Sequence, residues 1–93
     1  MLDLGPGVGA LVLHTGADLH GVEIEISPTG LDVGRSHKQV HERPAGGRAL
    51  YAAVFDRLPV GEYTLWLGGR PLRRGVAVAG GVVTDLSIEE EHP

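Results

Sequence analysis

Glycine and proline punctuate this chain more closely than a helix tolerates. Fifteen glycines and six prolines are spread over 93 residues, and no stretch of ten residues between them carries an i, i+3, i+4 apolar pattern. The intervals that remain are short, rich in Val, Leu, Ile, Tyr and Thr, and alternate apolar with polar residues. They read as seven strands: Ala10–Thr15, Gly21–Ile26, Lys38–Arg43, Arg48–Phe55, Tyr63–Leu67, Leu72–Ala79 and Val82–Ile88. Short strands with turn signals every 8 to 12 residues or so predict an all-β fold, a seven-stranded antiparallel β-sandwich.

Alternation assigns the faces, because successive strand residues point to opposite sides of a sheet. Leu11 and Leu13 face inward in the first strand, and Val22, Ile24 and Ile26 in the second, with Glu23 and Glu25 opposite. Tyr51, Ala53 and Phe55 take the core side of the fourth strand, and Tyr63, Leu65 and Leu67 that of the fifth. Val82, Thr84, Leu86 and Ile88 do so in the last. Thr64 and Trp66 are thereby directed outward, which predicts a tryptophan on the surface. A tight turn at Gly46-Gly47 pairs Arg43 with Leu50 and Glu42 with Tyr51; a turn over Pro44–Gly47 would instead set Arg43 against Arg48, two like charges face to face.

Composition limits the class further. With 42% hydrophobic residues, 22% charged residues and a net charge of -4, the chain reads as one globular domain over 1–93, with a flexible N-terminal arm at 1–9 and a frayed acidic tail at 89–93. The absence of cysteine removes disulfides, thiol catalysis and thiolate metal sites together. Neither a basic n-region nor a long apolar run opens the chain, so the expectation is a cytoplasmic protein that does not engage a membrane. One basic cluster, Arg70 to Arg74, in an acidic chain predicts no nucleic-acid partner.

The segment YAAVFDRLPVGEYTLWL, Tyr51 to Leu67, resembles the signature of prealbumin-like (transthyretin-like) sandwiches, which include carboxypeptidase regulatory domains and adhesin repeat domains. In those families a strand runs into a Leu-Pro-x-Gly-x-Tyr corner and leaves along another strand. Here Leu58 would plug the end of the sandwich, Pro59 fix φ, Gly61 supply a positive φ, and Tyr63 re-enter the core with its hydroxyl near the corner backbone. Val76 to Ile88 resembles the last hairpin of the same families. The whole chain is also similar to a group of short bacterial proteins, some described as phospholipases. Neither Ser27, Ser36 nor Ser87 lies in the Gly-x-Ser-x-Gly context that a lipase elbow requires. The 5-hydroxyisourate hydrolases of the transthyretin group end in Tyr-Arg-Gly-Ser, where this chain has EEEHP.

The histidines His14, His20, His37, His41 and His92 are numerous for such a length. His37 and His41 share a face of one predicted strand but lie roughly 13 Å apart along it, too far for one zinc ion. His41-Glu42-Arg43-Pro44 departs from HExxH, and Gly5 to Ala10 precedes a strand and lacks the Lys-Ser/Thr of a phosphate loop. No metal and no cofactor are therefore expected. The candidate surface is the outer face of the Lys38–Phe55 hairpin, where His37, Gln39, His41 and Arg43 lie beside Leu50, Ala52 and Val54, together with Trp66. The leading expectation is a small non-enzymatic binding module that forms a homodimer through this face, with an unidentified protein partner as a further expectation. Two alternatives stand beside it. One is a hydrolase of unknown substrate using His37 or His41 as base and Arg35 or Arg43 to hold an anion. The other, by analogy of fold alone, is a carrier of small ligands between subunits.

Overall fold

A computed structural model describes residues 5–31 and 35–88. Its eight strands are β1 (Val8–Thr15), β2 (Glu23–Pro28), β3 (Ser36–Gln39), β4 (His41–Ala45), β5 (Arg48–Pro59), β6 (Gly61–Leu67), β7 (Arg70–Val78) and β8 (Val83–Ser87), with one 3-10 turn at Ala17–Leu19. They form two four-stranded sheets, ordered β4-β5-β1-β8 and β3-β2-β6-β7. The all-β, two-sheet expectation is met, and the strand count is eight rather than seven. The difference lies at Val40.

The stretch expected as one strand, Lys38–Arg43, breaks there and changes sheets. β3 pairs with β2 in one sheet, and β4 pairs with β5 in the other. Val40 is the single apolar residue of HKQVHER, and it is fully buried between the layers. Its backbone is satisfied at the crossing, the N–H donating to the Val22 carbonyl and the carbonyl accepting from the Gly21 N–H, both at 2.9 Å. Period-2 alternation continues through a residue that swaps sheets, so the pattern alone does not reveal the switch.

A simple rule links the rest. β2–β3, β4–β5 and β6–β7 are hairpins within a sheet, whereas β1–β2, β3–β4, β5–β6 and β7–β8 cross from one sheet to the other. The β4–β5 turn is Gly46-Gly47 with φ of 60° and 82°, values that suit glycine in a two-residue primed turn. It sets Arg43 opposite Leu50 and Glu42 opposite Tyr51, the register that avoids the arginine pair. β7 and β8 do not form the final hairpin that the family resemblance implied. Instead β8 crosses to the open edge beside β1 and runs parallel to it, which also departs from the all-antiparallel expectation. Strand direction is invisible to alternation, and the ladder is extended by bonds from the N–H groups of Ala10, Gly81 and Ile88.

Leu11, Leu13, Ile24, Ile26, Val40, Ala53, Phe55, Tyr63, Leu65, Val76 and Val78 make the core, and Tyr51, Leu58, Leu67, Leu86 and Ile88 pack on its margin. Val82, read as inward, is instead exposed beside the β7–β8 turn. The core residues of β5 change parity after Phe55, so that Leu58 rather than Arg57 turns inward. A bulge causes this. Gly9 faces Leu58 and Leu11 faces Phe55, leaving Asp56 and Arg57 opposite Ala10 alone, with Arg57 at φ 67°. A side chain in that left-handed region costs on the order of 1–2 kcal/mol, which the surrounding ladder must offset.

The corner resembles its sequence reading closely. Gly61 has a positive φ, and the Tyr63 hydroxyl donates to the Pro59 carbonyl at 2.6 Å. Two segments expected to be loose fall differently. β1 begins at Val8, inside the expected arm, and Gly7 accepts a bond from the Val60 N–H. Residues 1–4 and the acidic 89–93 lie outside the described residues.

Two outcomes test this architecture. A Cβ on Gly9 would collide with the Ala79 carbonyl oxygen and lie 2.9 Å from Val78 Cγ1, so Gly9→Ala should lower stability by about 2 kcal/mol or more, whereas Gly5→Ala, whose Cβ meets nothing, should be near neutral. Urea unfolding of both variants measures the contrast. Burial raises the Tyr63 phenol above its ordinary 10.0, so the folded chain holds that proton where the unfolded chain releases it. The stability this contributes is complete below pH 10 and falls as pH rises toward the folded value. Tyr63→Phe should cost about 1 kcal/mol near neutrality, and its deficit relative to wild type should narrow in melts above pH 10.

Candidate functional site

Switching sheets at Val40 carries β4 to the edge of β5, with β3 still held in the opposite sheet. The groove that opens along this junction has a volume of about 290 Å3 and is lined by Lys38, Gln39, His41, Arg43, Val54 and Asp56. Each residue is delivered by a local rule. Lys38 and Gln39 come from the end of β3, and the Gln39 side-chain amide donates to the Gly21 carbonyl at 2.9 Å, which fixes its orientation. His41 and Arg43 alternate outward on β4, with Ala52 and Leu50 as their partners across the ladder. Val54 and Asp56 are outward residues of β5, just before the bulge.

Four of the eight residues named from sequence therefore meet around one groove: Gln39, His41, Arg43 and Val54. Alternation on the hairpin was the signal for them. Lys38 and Asp56 were missed, because Lys38 was assigned to the opposite face of a single continuous strand and Asp56 lay beyond the predicted strand end. The other four residues go elsewhere. His37 pairs with Glu23 at 3.2 Å on the outer face of the β2–β3 sheet. Leu50 is exposed near the turn, and Ala52 is buried between His41 and His14.

Trp66 is the clearest correction. It was expected in water, and it is only 4% exposed. Its outward direction holds, since it stands outside the core cluster, but the long β2–β3 connection returns Arg35 over the ring. The guanidinium carbon lies 3.9 Å from the ring centroid, and that of Arg74 lies at 5.5 Å. Arg35 is held in turn by Glu25 at 2.8 Å, and the indole N–H donates to Ser27 Oγ at 3.0 Å. The described part of the N-terminal arm does not lie here; Pro6 packs against Gly80 instead. A face built this way offers Trp66 to its own chain rather than to a partner, which removes it and Ala52 from the expected dimer contact.

Three ion pairs join described residues, and none of them lies in the groove. Elsewhere among the described residues, Asp85 meets His14 at 2.9 Å, Glu25 meets Arg35, and Glu23 meets His37. Lys38, Arg43 and Asp56 make none of these pairs. Among the described residues, no three His, Asp or Glu side chains converge into a cluster suited to a metal ion. No serine or threonine hydroxyl hydrogen-bonds to His41 among them either, so the groove shows donors and an acceptor without an assembled nucleophile. A second hollow of about 400 Å3 at the β6–β7 turn is walled by Leu67, Gly68, Arg70, Pro71 and Leu72. These are neighbours along one hairpin, and nothing distant is brought to them.

No protein-family model matches the chain, and no curated protein matches it significantly. Among solved structures it is similar to a leucine-rich repeat protein from Bacteroides thetaiotaomicron VPI-5482, with a TM-score of 0.48 at 16% identity over 91% of this chain. The chain spans about 12% of that protein's length. No helix among the described residues is long and apolar enough to cross a membrane.

The Trp66 arrangement is open to a clean measurement, because the chain has one tryptophan. Arg35→Ala should shift its emission to the red, toward that of indole in water, and cost about 0.5–2 kcal/mol in denaturant unfolding. An unchanged spectrum would mean that Arg35 does not cover the ring in solution.

Proposed function

We propose that the chain is a small non-enzymatic binding module, and that the groove along the β3–β4 crossover holds an anionic group of its ligand. The observation that supports this reading is the meeting of Lys38, Gln39, His41 and Arg43, from two different sheets, around one hollow. Two fixed cations, a histidine and an oriented amide give an arginine fork, an ammonium and neutral donors at one place. That set suits a carboxylate or phosphate oxygen. Val54 adds an apolar wall for the body of the ligand.

The prealbumin-like affinity belongs to the same reading. It is supported by the Tyr63–Pro59 corner bond and by the crossing at Gly61. Self-association through the β4–β5 hairpin is a separate proposal, which would use Leu50 and Val54, since Ala52 and Trp66 are buried within the protomer.

Acetate and inorganic phosphate, titrated at low ionic strength into isotopically labelled protein, should give saturable amide shifts over Lys38–Arg43 and Val54–Asp56, and none at Gly68–Arg70. Arg43→Gln should weaken binding about three- to tenfold, the loss expected for one partly exposed charge-assisted contact. Added salt should weaken it further. Shifts spread evenly over the surface, or an Arg43→Gln variant that binds like wild type, would refute the site.

A further inference from the structure

The groove also contains a carboxylate, which a simple anion site would exclude. Asp56 lines it together with Lys38 and Arg43, and none of the three makes an ion pair among the described residues. Asp56 closes the outward run Ala52, Val54, Asp56 on β5; the next residue, Arg57, is the left-handed member of the bulge. The bulge thus ends the groove at Asp56 and keeps the following residue from entering it.

Distance along the strand separates Arg43 from Asp56. Arg43 faces Leu50 on β5, and Asp56 lies six residues further along the same strand, roughly 20 Å at 3.3 Å per residue. Both side chains reach the same hollow, so their charged heads approach each other across part of that length. A single amino acid, whose ammonium and carboxylate sit on one carbon, cannot touch both ends. An extended chain of two or three residues, about 7–11 Å long, can.

Resting on the reading of the groove as a binding site, we infer that its ligand is a short zwitterionic peptide with small apolar side chains. It lies extended along β5, its carboxylate at Arg43 and its terminal ammonium at Asp56. Val54 contacts a side chain between the two ends, and Gln39 and His41 supply hydrogen bonds to the peptide backbone. The opposite charges at the two ends fix the direction in which the peptide lies.

The tripeptide Ala-Val-Ala, its N-acetyl form, its C-terminal amide and free valine provide the test, with amide shifts of the groove residues as the readout. The free tripeptide should bind at least about tenfold more tightly than either blocked form and than valine. Asp56→Asn should abolish its advantage over the N-acetyl peptide while acetate binding persists, and Arg43→Gln should abolish its advantage over the amide. Both positions are exposed, and unchanged thermal melts would show that the variants retain the fold. An N-acetyl peptide that binds as well as the free one would overturn the zwitterion while leaving the anion groove standing. Valine binding as tightly as the tripeptide would overturn the length argument. If acetate, phosphate and all the peptides leave the groove amides unmoved, the inference and the groove reading fall together.

Discussion

The burial of Val40 between two sheets is the contact on which the groove depends. Two backbone bonds to Gly21 and Val22 and a fully enclosed side chain fix the place where the chain leaves one sheet and joins the other. Without that crossing, Lys38 and Gln39 would continue along the same strand as His41 and Arg43, and alternation would place Lys38 on the face opposite to them. With it, β3 and β4 meet at an angle along one edge of the sandwich. Residues from both then frame a hollow over Val54 and Asp56. Core packing and the surface groove are two sides of one covalent turn in the chain.

The outer faces of the two sheets have been put to different uses. On the β3-β2-β6-β7 sheet, Glu25, Arg35, Trp66, Arg74 and Ser27 form a covering of ion pair, stacked guanidinium and indole hydrogen bond. Glu25, Arg35, Ser27 and the indole N–H have partners in their own chain, the buried Thr64 hydroxyl beside them has none, and the apolar area of the tryptophan is removed from water. At the junction with the β4-β5-β1-β8 sheet, the charges of Lys38 from β3, Arg43 from β4 and Asp56 from β5 remain turned toward solvent. Groups already engaged at home offer a ligand little, since a bond formed to it must replace one that is lost. The groove charges, by contrast, make no ion pair among the described residues, which is the feature that the proposed binding role uses.

Much of this was legible in the sequence, and the limits have physical causes. Glycine and proline spacing located the turns; the Gly46-Gly47 pair set the hairpin register; Leu-Pro-x-Gly-x-Tyr located the corner later seen in the Tyr63–Pro59 bond. Period-2 alternation sorted Leu11, Leu13, Ile24, Ile26, Ala53, Phe55, Tyr63 and Leu65 correctly into the core. Alternation is silent about which sheet a strand joins and in which direction it runs, so the break at Val40 and the parallel β1–β8 pair were missed. It also gives no hint of what covers an outward residue. Trp66 was placed on the right face and wrongly in water, because its cover, Arg35, comes from a connection without periodic pattern. Asp56 escaped notice because the bulge extends β5 beyond the point where a regular strand was expected to end.

The alternation of hairpins and crossings has a consequence for how the chain reaches this state. Each sheet is assembled from separated parts of the sequence, β1, β4, β5 and β8 in one and β2, β3, β6 and β7 in the other. Neither layer is encoded by a continuous half of the sequence, but all four strands of the β3-β2-β6-β7 sheet precede β8, so that layer has its full set of strands before the other does. β1 must wait for β5 and β8, its two ladder neighbours, across most of the chain. Closing such long loops before their contacts reward it makes folding slow for a chain of this size. During synthesis, sheet partners for β1 would become available only as β5 emerges, and the layer would close when β8 leaves the ribosome. Until then the apolar faces of the early strands are open to a chaperone or to another nascent chain.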